Sequence, residues 1–153
     1  MCARRYSYNV QVKNAQKRHP LDERLIKRMV VEVLGRLGGR GGLEIEVILV
    51  NDSSIESLNK RYLNKTGPTD VISFDLDRSA CVFVSVDTAF RSSGILGTGF
   101  VGEIMLYVIH GILHLFGYDD DTKASSEKMS AKQDDILRRL CRKHDLSKAL
   151  MPR

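Results

Sequence analysis

Two histidines and an aspartate in one short segment have the types and spacing that suit a metal ion. His110 and His114 lie four residues apart, so on an α-helix the second is turned by about 40° and raised by about 6 Å. Both imidazoles then leave one face of the helix and can share a cation. Gly117 can take a positive φ and end the helix in a sharp turn. The turn would bring Asp120 back as a third ligand.

Three protein ligands and an open position are the arrangement of a catalytic metal. The spacing matches the metal frame of the metzincin proteases, with Asp in the third ligand position. Those enzymes use His-Glu-x-x-His, in which the Glu is the general base, whereas Gly111 stands here. Peptide hydrolysis is therefore disfavoured. The alternative, that the two imidazoles only pack on an apolar helix, is opposed by the Gly117 turn and by the acidic run 119–121, which attracts a cation.

Apolar periodicity predicts the elements that must hold this segment. Residues 6–12 alternate as a half-buried strand, and a helix runs from Pro20, at its first position, to the glycines that begin at Gly38. The remaining predictions are strands at 43–50, 71–74 and 81–86, a short helix capped by Asp52 or Ser53, a segment with Gly94, Gly97, Gly99 and Gly102, and helices at about 103–115 and 122–143. This order predicts an α+β fold with a mixed sheet of about four strands packed with helices, as a single domain over residues 1–153.

Composition favours a globular protein with an anionic partner. The chain has 153 residues, of which 42% are hydrophobic and 28% charged, enough for a core without disulfides. No apolar run approaches the roughly 18–20 residues of a membrane span, and the N-terminus lacks a secretory signal. Cys2, Cys81 and Cys141 lack metal or redox spacing, so a cytoplasmic location without a membrane partner is expected. The net charge of +5 favours polyanions such as RNA.

Two sequence blocks resemble a known family. Residues 110–119, His-Gly-Ile-Leu-His-Leu-Phe-Gly-Tyr-Asp, resemble the signature His-Gly-x-Leu-His-Leu-x-Gly-Tyr-Asp-His of the YbeY family of bacterial endoribonucleases. Leu58-Asn59, Tyr62 and residues 68–74 resemble its Leu-Asn-x-x-Tyr-Arg and Pro-Thr-Asp-Val-Leu-Ser-Phe, and Glu103 stands where many members have an acid. The resemblance covers about residues 43–140.

This resemblance implies a metal-dependent endoribonuclease. The expected substrate is single-stranded RNA, and the expected roles are maturation of small-subunit rRNA and ribosome quality control, with the ribosome as partner. One Zn²⁺ per chain is expected at His110, His114 and Asp120, although two histidines and a carboxylate also suit Fe²⁺ or another divalent ion. The alternative is a non-catalytic ribosome-assembly factor in which the metal is structural.

Three positions depart from the family pattern. Asp120 stands where the third ligand is usually His, and Leu63 stands where an Arg follows the Tyr. Lys65 is a positional substitute for that Arg, although it offers a point charge instead of a bidentate fork. Ser79-Ala80-Cys81 replaces a Gly-Asp pair before the central strand.

The other site residues are less determined. Basic residues that could hold RNA phosphates are Lys60, Arg61 and Lys65. The general base is open: the candidates are Asp119, Asp121 and a metal hydroxide. Asp70 and Thr69 either line the cleft or cap the turn before a strand. The catalytic residues are unknown, and the candidates are Asp119, Asp70 and Lys65.

Overall fold

The computed structural model describes residues 5–96 and 99–152, and these form an α+β fold. The strands are β1 (Asn9–Asn14), β2 (Glu44–Val50), β3 (Val71–Asp75) and β4 (Ser79–Ser85). The helices are α1 (Glu23–Leu37), α2 (Asp52–Leu63), α3 (Val86–Leu96), α4 (Phe100–Leu115) and α5 (Lys123–Lys143), followed by a 3-10 helix (Leu146–Ala149).

The four strands form one mixed sheet in the order β1-β2-β4-β3. β1, β2 and β4 are parallel, and β3 runs antiparallel to β4. Ile45, Val47 and Leu49 alternate with more exposed residues along β2 and are buried, which places the main core on one face of the sheet. A smaller apolar cluster, formed by Val50, Ile55 and Ile72, is separate from it. The α+β class and the four-stranded mixed sheet predicted from the sequence are confirmed.

Helix α4 is the centre of the core and carries both histidines. From Val101 to Leu115, only Leu106, His110 and His114 are not buried. A helix that is apolar on nearly all sides packs against neighbours all round, and α4 contacts β3, β4, α3 and α5. The two histidines therefore project from a firmly held helix at a place where its surface reaches solvent.

The first predicted strand and helix begin later than the sequence indicated. Pairing starts at Asn9 with Glu44, so the predicted strand residues Tyr6, Ser7 and Tyr8 precede β1. Pro20 is not helical, because its carbonyl accepts a hydrogen bond from Met151 N at 3.0 Å. The helix begins instead after Asp22, whose carboxylate accepts from the Arg24 and Leu25 amides.

Other predicted boundaries also shift. The cap of α2 is Asn51, which accepts from the Ser54 amide, and not Asp52 or Ser53. β3 is one residue longer than predicted, and β4 begins at Ser79, two residues before its predicted start. Helix α3 was not predicted, and Gly94 lies inside it, whereas Gly97 and Cys2 fall outside the described residues. Helix α4 starts at Phe100, three residues before the predicted start.

A membrane-crossing helix is absent from the part of the chain that the structure describes, since none of its helices is both long and apolar enough.

Candidate metal centre

The i,i+4 pair on α4 brings two imidazole nitrogens together. His110 Nε2 and His114 Nε2 lie 3.1 Å apart. The side chains are 28% and 36% exposed, so both rings are reachable from solvent although the helix beneath them is buried. The spacing therefore gives the shared face that the sequence predicted.

The turn after α4 has the geometry that Gly117 was expected to provide. Gly117 has φ of 91°, a conformation that residues with a Cβ rarely adopt. The Gly117 amide donates to the His114 carbonyl at 3.2 Å, and the Tyr118 amide donates to the Leu113 carbonyl at 3.0 Å. These two bonds form a Schellman motif. The motif reverses the chain directly beyond His114 and sends residues 118–121 back towards the two rings.

Asp120 is the residue that the turn brings to the histidines. Its Oδ2 lies 3.8 Å from His110 Nε2 and 4.0 Å from His114 Nε2, and the three ligand atoms lie within 4.8 Å of one another. With zinc bonds of about 2.0–2.2 Å, two ligand atoms of a tetrahedral site lie about 3.3–3.5 Å apart. Two imidazoles and a carboxylate at this spacing fit a small divalent cation after shifts of a few tenths of an ångström.

The neighbouring Asp119 has other hydrogen-bond partners. Asp119 Oδ1 accepts a hydrogen bond from the Asp121 amide at 3.3 Å. The Ser125 hydroxyl, with that amide and the nearby His114, lowers the pKa of Asp119. Asp119 is thus an exposed, ionised carboxylate beside the cluster, while Asp120 supplies the inward-facing oxygen.

Gly111 is required by the way α4 packs on the sheet. A Cβ there would lie 2.7 Å from Val82 Cγ1, 2.8 Å from Ser73 Oγ and 2.9 Å from Val71 Cγ2. Ser73 Oγ also donates to the Gly111 carbonyl at 2.9 Å. The position that holds the general base in zinc proteases is therefore filled here by the sheet, and no side chain fits it.

Gly111→Ala is expected to destabilise the fold by about 1–3 kcal/mol, because α4 must move off β3 and β4 to admit the methyl group. The matched control is Gly35→Ala in α1, where a Cβ would meet nothing within 4 Å and the better helix former should add about 0.5–1 kcal/mol. Urea unfolding of both variants measures the difference. Equal stability of Gly111→Ala and the native chain would contradict the close contact.

The second sequence block forms the end of α2 and the loop before β3. Asn59 is buried, donates from Nδ2 to the Gly67 carbonyl at 3.0 Å and accepts from the Lys65 amide at 3.2 Å through its own carbonyl. Asn64 takes the left-handed conformation with φ of 53°. Asn59 therefore holds the 64–67 turn from the inside, a role that the sequence motif alone did not reveal.

The candidate residues of this block differ in their surroundings. Asp70 accepts from the Val71 amide at 2.9 Å and from the Thr69 hydroxyl at 3.3 Å, the local contacts of a turn cap. Lys60, Arg61, Leu63 and Lys65 are all exposed. The Arg61 guanidinium lies 5.5 Å from the centre of the Tyr62 ring.

Two buried polar residues precede the histidines on α4. Glu103 and Tyr107 are buried and precede His110 by seven and three residues. Burial raises the pKa of Tyr107, and the carboxylates of Glu103 and Asp70 raise it further. A hydrogen bond with Ser92 lowers this pKa in part. Tyr107 thus stays a neutral hydroxyl that is buried on α4, with Ser92 and Glu103 as its hydrogen-bond partners. It was not singled out from the sequence, where it reads as one more apolar helix residue.

Two histidines and a carboxylate that face solvent have the ligand types and the open side that catalytic metal sites use. The profile of the family Endoribonuclease YbeY matches residues 11–141. The chain therefore belongs to this family of RNA-cleaving enzymes, which confirms the resemblance found in the sequence.

Individual relatives agree over most of the chain. Endoribonuclease YbeY of Geobacter sulfurreducens is 34% identical over 140 residues, which cover 84% of this chain and 93% of that protein. Endoribonuclease YbeY of Moorella thermoacetica is 32% identical over 145 residues, which cover 82% and 93%. The solution structure of a Thermotoga maritima protein matches with a TM-score of 0.62 and 27% identity, over 88% of this chain and 90% of that one.

Proposed function

We propose that this chain is a metal-dependent endoribonuclease that cleaves single-stranded RNA in rRNA maturation and ribosome quality control in the cytoplasm. His110, His114 and Asp120 would hold the cation, for which Zn²⁺ suits the donor set best. The observation that carries the proposal is the convergence of the three ligand atoms within 4.8 Å on a solvent-facing surface. Membership of the YbeY family supports the RNA substrate.

The residues of the chain divide the work of such a reaction. When bound, a divalent cation supplies Lewis-acid activation of water and neutralises charge on a phosphodiester. The rigid α4 holds the two imidazoles, and the Gly117 turn holds Asp120 against them. The exposed Lys60, Arg61 and Lys65 would attract the RNA backbone. Asp119 offers an ionised carboxylate that could take a proton from water beside the cluster.

An RNA cleavage assay tests this proposal directly. Purified protein should cleave a single-stranded RNA more readily than the same sequence paired in a duplex. Activity should be lost with a chelator and return with added Zn²⁺, and metal analysis should give about one ion per chain. A protein that binds the metal but cleaves no RNA at any metal loading would support the alternative of a non-catalytic assembly factor.

Asp120, and not Asp119 or Asp121, is expected to be the third ligand. Asp120→Ala should therefore lose the metal, whereas Asp121→Ala should keep it. Asp120→His should retain or tighten zinc binding, because an imidazole restores the three-histidine set of the family. Zinc affinities of the three variants, measured by competition with a chromophoric chelator, check this. Loss of zinc in Asp121→Ala with retention in Asp120→Ala would contradict the assignment.

A further inference from the structure

We propose that Gln133 of α5 is a positioning residue for the metal centre, which fixes the ring of His110 so that Nε2 faces the cation. This inference rests on the proposed function, because it concerns the same site. A contact between helices α4 and α5 supports it. His110 Nδ1 and Gln133 Oε1 lie 2.9 Å apart, across 23 residues of sequence.

The placement of Gln133 on α5 is unusual for an amide. The face of α5 that packs towards α4 carries the buried residues Met129, Ile136 and Leu140. Gln133 lies four residues after the first and three before the second, so it belongs to the same stripe. It is half-buried. A polar side chain at such a position needs a hydrogen-bond partner, and the imidazole of His110 is the partner that the structure provides.

The chemistry of the contact decides which nitrogen of His110 is free. An amide oxygen only accepts, so His110 Nδ1 must carry the proton. A neutral imidazole has a single N–H, which leaves the lone pair on Nε2. Nε2 is the atom that lies 3.1 Å from His114 Nε2 and 3.8 Å from Asp120 Oδ2. The hydrogen bond therefore selects the tautomer, and holds the ring angle, that a cation at this cluster requires.

Ligand histidines in metal sites commonly donate their second N–H to such a partner, and loss of the partner costs about 10- to 100-fold in metal affinity. An amide oxygen is a weaker hydrogen-bond acceptor than a carboxylate oxygen. A carboxylate at this position would therefore make the His110 ring a stronger electron-pair donor to the cation than the amide does. The zinc affinity with the native Gln133 should thus lie between that of a chain without an acceptor at position 133 and that of a chain with a carboxylate there. A carboxylate in its place should tighten the site.

Three variants separate positioning from packing. Gln133→Met keeps the length and removes the acceptor, and Gln133→Glu keeps the acceptor. Asp134→Asn, at the exposed next residue, is the control for a substitution on α5 that leaves the contact with His110 in place. Zn²⁺ titration should show affinity 10- to 100-fold lower for Gln133→Met, equal or higher for Gln133→Glu, and unchanged for Asp134→Asn. The unfolding midpoint of metal-free Gln133→Met should stay near that of the native chain, because an apolar residue suits the stripe.

A spectroscopic measurement on metal-free protein tests the inference independently of metal binding and activity. Long-range ¹H–¹⁵N NMR at about pH 8, where imidazoles are neutral, should show the His110 proton on Nδ1 in the native chain and in Gln133→Glu. It should show a tautomer mixture in Gln133→Met. A native protein with the His110 proton on Nε2, or Gln133→Met with native zinc affinity, would overturn the inference. A native chain that shows the Nδ1 proton but binds no zinc would instead contradict the proposed function.

Discussion

His114→Ala is expected to lower zinc affinity by well over a hundredfold and to abolish RNA cleavage. Loss of a mere hydrogen-bond partner of a ligand already costs about 10- to 100-fold, so loss of one of three ligands must cost more. The remaining pair, His110 and Asp120, would hold a cation from two directions only. Metal analysis after zinc-supplemented expression and a single-turnover cleavage assay measure the two effects.

His114 is the better of the two histidines for this test. Its side chain is 36% exposed, so truncation removes little packing and should change the free energy of unfolding by no more than about 0.5 kcal/mol. His110 would also release its partner on α5 and mix two effects. Zinc should raise the melting temperature of the native chain, since a ligand that binds only the folded state stabilises it. It should not raise that of His114→Ala.

His144→Ala is the matched control for removing an imidazole. His144 lies away from the cluster and its Nε2 contacts Glu32 Oε2 at 2.9 Å. The variant can lose stability, because Glu32 also pairs with Lys143, but it should keep about one zinc per chain. Native zinc content and cleavage in His114→Ala would refute the metal centre, whereas equal losses in both variants would point to unfolding.

The convergence of His110, His114 and Asp120 was predictable because most of its geometry is local. Four residues on a helix fix the relation of His110 to His114, and a positive-φ glycine at a helix end fixes the direction of the chain towards Asp120. Both rules operate within ten residues. The partner of His110 was not predictable, because Gln133 lies 23 residues away on another helix and its contact depends on how α4 and α5 pack.

Helix α3 shows a similar limit. Its second half contains Ser92, Ser93 and Gly94, residues with low helix propensity, and the sequence alone indicated a glycine-rich connection. The helix packs against α4, and such tertiary contacts override local preference. The cap of α2 was predicted at Asp52 or Ser53, one or two residues after the observed Asn51, because Asn, Asp and Ser all cap helices. Asp52 Oδ1 instead accepts hydrogen bonds from the Ser85 and Thr88 hydroxyls, at 2.6 and 2.9 Å, across more than 30 residues of sequence.

We expect the departure at Leu63 to affect the rate of RNA cleavage more than the binding of RNA. The family motif has an Arg at this position, and an Arg beside a phosphoryl-transfer site clamps two oxygens and stabilises developing charge. Leu63 ends α2, just before the turn held by Asn59. The loop continues into β3, whose Ser73 bonds to α4 next to His110. Residue 63 is thus connected to α4, the helix that carries the two histidines, through a short, well-held segment.

Leu63→Arg is expected to raise the rate of single-stranded RNA cleavage by roughly ten- to a hundredfold, which corresponds to about 1–3 kcal/mol of transition-state stabilisation. RNA affinity should change little, because we expect Lys60, Arg61 and Lys65 to attract the RNA backbone already. Leu63 is 45% exposed, so the larger side chain need not enter the core and the melting temperature should hold. Single-turnover cleavage and filter-binding measurements separate rate from affinity.

Two companion variants decide what an increase means. Leu63→Lys adds the same charge without the planar fork, so it should recover only a small part of the gain. Leu63→Met preserves an apolar side chain and should leave the native rate unchanged. If Leu63→Arg folds normally and cleaves no faster, another residue already fills the role of the missing Arg. Lys65→Ala would then be the variant expected to slow the native enzyme, because Lys65 is a basic residue two positions after Leu63, in the turn that follows α2.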